Sequence, residues 1–214
     1  MESPPAADQD VIRQDRAPSG VGLAGVILCG GRSLRMGVDK ATIRFEGTTL
    51  LARAVARLDE VCDPVLIARG GTSAKMTGRE SIADAVPDAG PLGGVVAALR
   101  TSPHRLLAVV AVDLPWIDQR LIRMLADLIG DRDVAVCEAG GRVEPLHAVY
   151  ATSILAAAET ALAGPDRSLR GLISTANALR VPESEWRRAG ISERFALNVN
   201  TPEDVAELRR EARR

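Results

Sequence analysis

Gly30 and Gly31, then Arg32, Arg35 and Lys40, follow directly on the apolar run of residues 23–29. Glycines let the backbone turn at φ values other residues avoid, so that N–H groups face an anion at contact distance. Arg32, Arg35 and Lys40 add three cations to the same loop, the charge compensation a triphosphate needs where water is excluded. Two familiar phosphate loops do not fit. A Walker loop requires lysine directly after its second glycine, whereas Val38 and Asp39 separate Gly37 from Lys40. The dinucleotide fingerprint G-x-G-x-x-G fails because Gly30 and Gly31 are adjacent and Gly37 comes six residues later. What remains, G-G-x-S-x-R-M-G-x-x-K, points to a nucleoside triphosphate.

Such a loop needs a strand before it and a sheet to hold its partners. Apolar runs at residues 23–29, 65–68, 106–112 and 134–137 predict buried strands. Between and after them, helical spacing predicts helices near 50–58 (capped by Thr49), 93–99, 117–129, 154–162, 169–176 and 202–210 (capped by Thr201). This alternation predicts an α/β fold, a single doubly wound, mostly parallel sheet covered on both faces. Residues 1–20, rich in Pro, Asp and Arg, read as a flexible tail ahead of one catalytic domain over 21–214.

Composition narrows the partners. The chain has 214 residues, a net charge of −1 and five aromatic side chains, so neither a global field nor stacking platforms favour nucleic acid. Cys29, Cys62 and Cys137 are dispersed and outside any C-x-x-C pair, which argues against a disulfide framework or a zinc site. No apolar stretch nears the roughly 20 residues of a bilayer span, and residues 1–20 lack a secretory apolar segment. The expectation is a cytoplasmic protein with small-molecule partners.

Ligands of open parallel sheets bind beyond the carboxyl ends of the strands. Asp113 falls there, after the run 106–112, where a carboxylate beside a triphosphate suits Mg²⁺; the competing reading is a turn cap before Pro115. Asp84 precedes Gly90-Pro91-Leu92-Gly93-Gly94, a helix start tight enough to approach a ligand or another chain segment. Asn198 and Asn200 flank Val199, so alternation along a strand puts both amides on one side, able to hold a polar ligand. Thr201, Glu203 and Asp204 read mostly as capping. His147, after Glu144-Pro145-Leu146, reads as structural, with no Ser or Cys partner nearby for a triad.

Taken in order, Leu28-Cys29-Gly30-Gly31, Arg35-Met36-Gly37, Lys40, Asp84 with Gly90-Pro91-Leu92-x-Gly94, Asp113-Leu114-Pro115, Glu144-Pro145-Leu146 and Asn198-x-Asn200-Thr201-Pro202-Glu203-Asp204 resemble the molybdenum cofactor guanylyltransferases over about residues 22–208. The resemblance implies a Rossmann-like nucleotidyltransferase fold and transfer of GMP from GTP to the terminal phosphate of molybdopterin or its molybdenum-loaded form, with release of pyrophosphate. It implies that Lys40 and the loop residues Leu28, Cys29, Gly30 and Gly31 hold the triphosphate, that Arg35 assists, and that Asp113 holds Mg²⁺. Asp84, Gly90, Pro91 and Leu92 then lie near the nucleoside, and Asn198 and Asn200 toward the pterin. GTP and molybdopterin are the implied partners, with molybdoenzyme chaperones downstream. Two positions depart from the pattern: Cys29 stands where the family has alanine, and Ala68-Arg69-Gly70 replaces an asparagine-bearing segment. The glycine loop is shared with molybdopterin cytidylyltransferases and other small-molecule nucleotidyltransferases, which are the enzymatic alternatives. A nucleotide-binding regulator or cofactor carrier is the non-enzymatic one, and loss of Lys40 or Asp113 would have pointed to it.

Overall fold

The computed structural model describes residues 22–29, 39–68, 77–87 and 89–211. The proposed tail at 1–20, the loop residues Gly30, Gly31, Arg32 and Arg35, and the departure at Arg69 and Gly70 lie outside the described residues.

In chain order, β1 (Leu23–Leu28) is followed by a hairpin of β2 (Arg44–Phe45) and β3 (Thr48–Thr49), then α1 (Leu50–Asp59), β4 (Val65–Ala68) and β5 (Ser81–Ile82). Next come α2 (Pro91–Thr101), β6 (Leu106–Ala111), α3 (Gln119–Leu128), β7 (Val134–Ala139), β8 (Arg142–Val143) and β9 (His147–Ala151). The chain closes with α4 (Leu155–Ala163), α5 (Leu169–Thr175), β10 (Ala178–Val181), α6 (Glu183–Arg188) and α7 (Pro202–Glu211). One sheet runs β10-β7-β9-β6-β1-β4-β5, with β8 beside β7. β1 pairs in parallel with both β4 and β6, as the apolar strand runs predicted; β10, at which the sequence predicts no strand, is parallel to β7. β9 is antiparallel to its neighbours β6 and β7, so the sheet is mixed in its second half. The sequence predicts no strand at 147–151, because the run carries His147 and its burial is invisible locally.

Period-two alternation sends Ile27, Ala108, Val110 and Val149 to one face, packed with α1, α3, Trp186 and Phe195. Val26, Leu28, Val109 and Tyr150 go to the other, packed with Leu92, Val95 and Val96 of α2 and with α4 and α5. Both faces are covered, which is why the strands contain almost no polar side chains.

Three local expectations shift. α2 begins at Pro91 and not at 93, since proline at the first helical position has its φ preset and leaves no donor unmet. α3 begins at Gln119, because Asp118 caps it by accepting from the Arg120 N–H. Residues 197–200 form no strand at all. Val199 N–H instead donates to the Asp113 carbonyl at 2.9 Å, a single tie where a ladder was expected.

The sheet reverses its direction of growth between β1 and β6: the chain adds β4 and β5 on one side, then returns to place β6 on the other. That switch point is where two neighbouring loops part and leave a crevice at the strands' carboxyl ends.

Candidate active site

β1 and β6 carry their pairing one step past the strands, with Val112 N–H donating to the Leu28 carbonyl at 3.1 Å. This fixes Cys29 and Asp113 side by side at the switch point. Asp113 is held from both sides: Leu114 N–H donates to Ala111, and Val199 N–H to Asp113 itself. Arg53 of α1 braces the turn by donating to the Pro115 carbonyl at 2.8 Å, its guanidinium also lying over the rings of Phe45 and Trp116.

Into this crevice comes Lys40. Asp39 caps a short 3₁₀ turn, Lys40–Thr42, by accepting from the Ala41 N–H, and so directs Lys40 back across the mouth of the sheet. Its Nζ donates to Asp113 Oδ2 at 2.8 Å and to Asn200 Oδ1 at 2.9 Å. Three residues separated by 73 and 160 positions in the chain thus meet at one ammonium group. The side chains of the ion pair retain 20% and 22% exposure, enough for a ligand to reach both.

The closing segment is held by a reciprocal cap. Asp204 Oδ2 accepts from Asn200 N–H at 2.7 Å and Thr201 N–H at 2.9 Å, while Thr201 Oγ1 accepts from Asp204 N–H at 3.1 Å. The capping read from Thr201 and Asp204 is therefore present. Those backbone N–H groups hold the Asp204 carboxyl below its ordinary value, and the Lys40 charge adds to the effect. Without a strand to enforce alternation, the two asparagines are used differently. Val199 is buried between exposed Asn198 and Asn200, and Asn200 alone has a bond to the lysine.

The glycine cluster approaches other segments of the chain closely. A Cβ on Gly94 would sit 3.0 Å from Leu28 Cδ2 and 3.2 Å from Ala68 Cβ, so α2 is glycine-rich where it packs on the ends of β1 and β4. Asp84 lies over the same turn, with Oδ2 and Oδ1 3.4 and 3.5 Å from the Cβ positions of Gly93 and Gly94. Its buried oxygens face the helix start, where the dipole favours negative charge. Gly90 has φ +69°, a conformation that only glycine adopts freely. Leu28 and Leu92 turn their side chains into the core, so only their backbones face any ligand.

Cys29 is half-buried, and burial, with Asp39 and Asp113 nearby, pushes its thiol up to about 12. It is a neutral spacer at neutral pH. Burial also pulls the His147 imidazole down, keeping it uncharged; Nε2 lies 3.3 Å from the Asp118 carbonyl and the ring meets Phe195 edge-on. His147 is thus a packing residue, in keeping with its structural reading. Glu144 is half-buried with its carboxyl raised by that burial, two residues before Leu146, whose carbonyl accepts from Ala111 N–H at the end of β6.

Among the described residues, no group of three or more His, Cys, Asp or Glu side chains is arranged to hold a metal. One strand-end carboxylate, Asp113, with an amide carbonyl near it, fits Mg²⁺ brought in on phosphate oxygens and does not fit a cage made by protein alone. No helix of the described residues is long and apolar enough to cross a membrane.

A family model described as the MobA-like NTP transferase domain matches residues 25–181. A relative from Opitutus terrae, named probable molybdenum cofactor guanylyltransferase, is 37% identical over 201 residues, covering 88% of this chain and 95% of that protein. A protein of the same name from Chloroflexus aggregans is 33% identical over 191 residues, covering 86% and 91%. In structure, the chain superposes on molybdopterin-guanine dinucleotide biosynthesis protein A from Archaeoglobus fulgidus with a TM-score of 0.77 at 21% identity, covering 89% of this chain and 98% of that one. A nucleotidyl transferase from Methanothermobacter thermautotroptrophicus gives 0.71 at 16%, covering 89% and 97%. At those identities the structural likeness speaks for the fold, and the sequence matches speak for kinship. The family match begins in β1 and runs to the end of β10, through the strand ends that carry Cys29 and Asp113, and the chain belongs to the MobA-like NTP transferase domain family.

Proposed function

We propose that the protein transfers GMP from GTP to the terminal phosphate of molybdopterin or its molybdenum-loaded form, releasing pyrophosphate and forming the guanine dinucleotide. The observation that carries this reading is the meeting of Lys40, Asp113 and Asn200 at the switch point of the sheet. Relatives named molybdenum cofactor guanylyltransferase, 33–37% identical over most of the chain, support the choice of base and acceptor.

The chemistry asks little covalent work of the protein. An acceptor phosphate is already a nucleophile, so the enzyme has to neutralise charge and align acceptor oxygen, α-phosphorus and leaving pyrophosphate. Lys40 supplies a mobile point charge between the two halves of the crevice. Its bond to Asp113 holds it ready, and that bond is exchanged for phosphate oxygens when substrate enters. Asp113 and the Asn200 carbonyl are the groups that would hold Mg²⁺, which when bound supplies Lewis-acid neutralisation of the phosphates. Gly30, Gly31 and Arg35 are assigned to the triphosphate by their place in the sequence, Asp84 and Gly90-Pro91-Leu92 to the nucleoside side through α2, and Asn198 to the acceptor side. The protonated Cys29 thiol agrees with direct transfer, since no thiolate nucleophile is available. We place the reaction in the cytoplasm, with residues 21–214 as one catalytic unit and the product passed on to molybdoenzyme chaperones.

Base choice is the part carried by kinship alone, and it has a simple test. With Mg²⁺ and molybdopterin, turnover is expected with GTP and to be at least about tenfold lower with CTP or ATP. Equal or better turnover with CTP would move the protein to the cytidylyl branch.

A further inference from the structure

We propose that Asp204 is a positioning residue for this reaction, setting the direction of the Asn200 side chain and through it the place of Lys40. The proposal rests on the functional reading above.

A helix start needs its first free N–H groups met, and Thr201 Oγ1 already does this by accepting from Asp204 N–H. The bond from Asn200 N–H to Asp204 Oδ2, at 2.7 Å, serves something else, because Asn200 lies outside α7. The same carboxylate oxygen accepts from Thr201 N–H at 2.9 Å. Those two N–H groups belong to the peptide planes on either side of the Asn200 Cα. Pinning both to one oxygen fixes φ and ψ of Asn200, and with them its Cα–Cβ direction. One residue earlier, Val199 N–H is tied to Asp113. The Asn200 amide is left only its own side-chain torsions, and its carbonyl reaches Lys40 Nζ at 2.9 Å.

The consequence falls on the lysine. With Asn200 in place, Nζ is shared between an amide and a carboxylate and stands between them. With Asn200 free to turn away, the ammonium is drawn to Asp113 alone and leaves the point it has to occupy against the reacting phosphates in the transition state. An ordinary cap would cost stability and nothing more. A positioning residue costs rate, and costs it only while Asn200 is present.

The test is a double-mutant cycle on the full chain, reading kcat, KM for GTP and melting temperature for Asp204→Ala, Asn200→Ala and the pair. Asp204→Ala is expected to lower kcat about tenfold with KM for GTP within about twofold, and to add less than about twofold in the Asn200→Ala background. Asp204→Asn, which keeps an acceptor oxygen, is expected to recover most of the rate. Thr201→Val removes the other half of the cap and is expected to lower the melting temperature by about 2–4 °C with kcat kept. Effects of Asp204→Ala and Asn200→Ala that multiply, or a Thr201→Val rate as low as that of Asp204→Ala, would overturn the proposal. A wild-type protein that makes no dinucleotide overturns the functional reading as well, and that is read before any variant.

Discussion

Asp113→Ala is expected to lower turnover by about a thousandfold or more while the protein stays folded. The carboxylate stands at the end of β6 with 22% of its side chain exposed, and it is paired with Lys40, itself 20% exposed. Neither group holds the core together, since the apolar side chains of β1 and β6 pack beneath them. The backbone ties that shape the turn, from Val199 and Leu114, use main-chain atoms that alanine keeps. What is lost is the negative charge on which a phosphate-borne cation would rest, and with it the neutralisation of the reacting phosphates. Asp113→Asn sharpens the result: it keeps shape and an acceptor for Lys40 and is still expected to be slow by two orders of magnitude or more. A folded Asp113→Ala protein, checked by circular dichroism, with near wild-type Mg²⁺-dependent kcat would remove the aspartate from the chemistry.

Lys40→Ala is expected to lower kcat by about a hundred- to a thousandfold, with a smaller change in KM for GTP. Lys40 is the one cation that the described residues place between Asp113 and Asn200, so its loss strips the developing charge of its counter-ion and leaves the Asp113 carboxylate unpaired in the crevice. Both effects weigh on the transition state more than on initial binding. Lys40→Arg is expected to restore little, because a bulkier planar fork cannot occupy the point between a carboxylate and an amide that the compact ammonium fills. Steady-state kinetics with GTP varied at saturating acceptor separates the outcomes. A rise in KM with kcat unchanged would make Lys40 a ground-state anchor.

Much of this architecture was legible because local signals agreed with the global fold. The aliphatic runs of β1, β4, β6 and β7 and the capping by Thr49 and Thr201 are readable residue by residue, and Asp113 could be put at a strand end from the length of its run alone. What sequence spacing could not give was pairing at a distance. The sequence relates Lys40 to the triphosphate and Asp113 to the metal separately; their ion pair depends on how the β1 and β6 loops converge. The antiparallel insertion of β9 depends on which partner strands are free at the switch side of the sheet, a property of the whole topology. Alternation was a sound rule applied to the wrong backbone at Asn198 and Asn200. The segment has no ladder to enforce it, and Asp204, read as a cap, orients the one asparagine that reaches Lys40.

The reaction moves a guanylyl group from one phosphate to another. GTP labelled at its α-phosphorus, incubated with the purified protein, Mg²⁺ and molybdopterin, follows that group directly. Label is expected in a molybdopterin guanine dinucleotide, with one unlabelled pyrophosphate released for each dinucleotide formed and neither product in the absence of acceptor. Label recovered only as GTP, GDP or free GMP, with no dinucleotide, would contradict it.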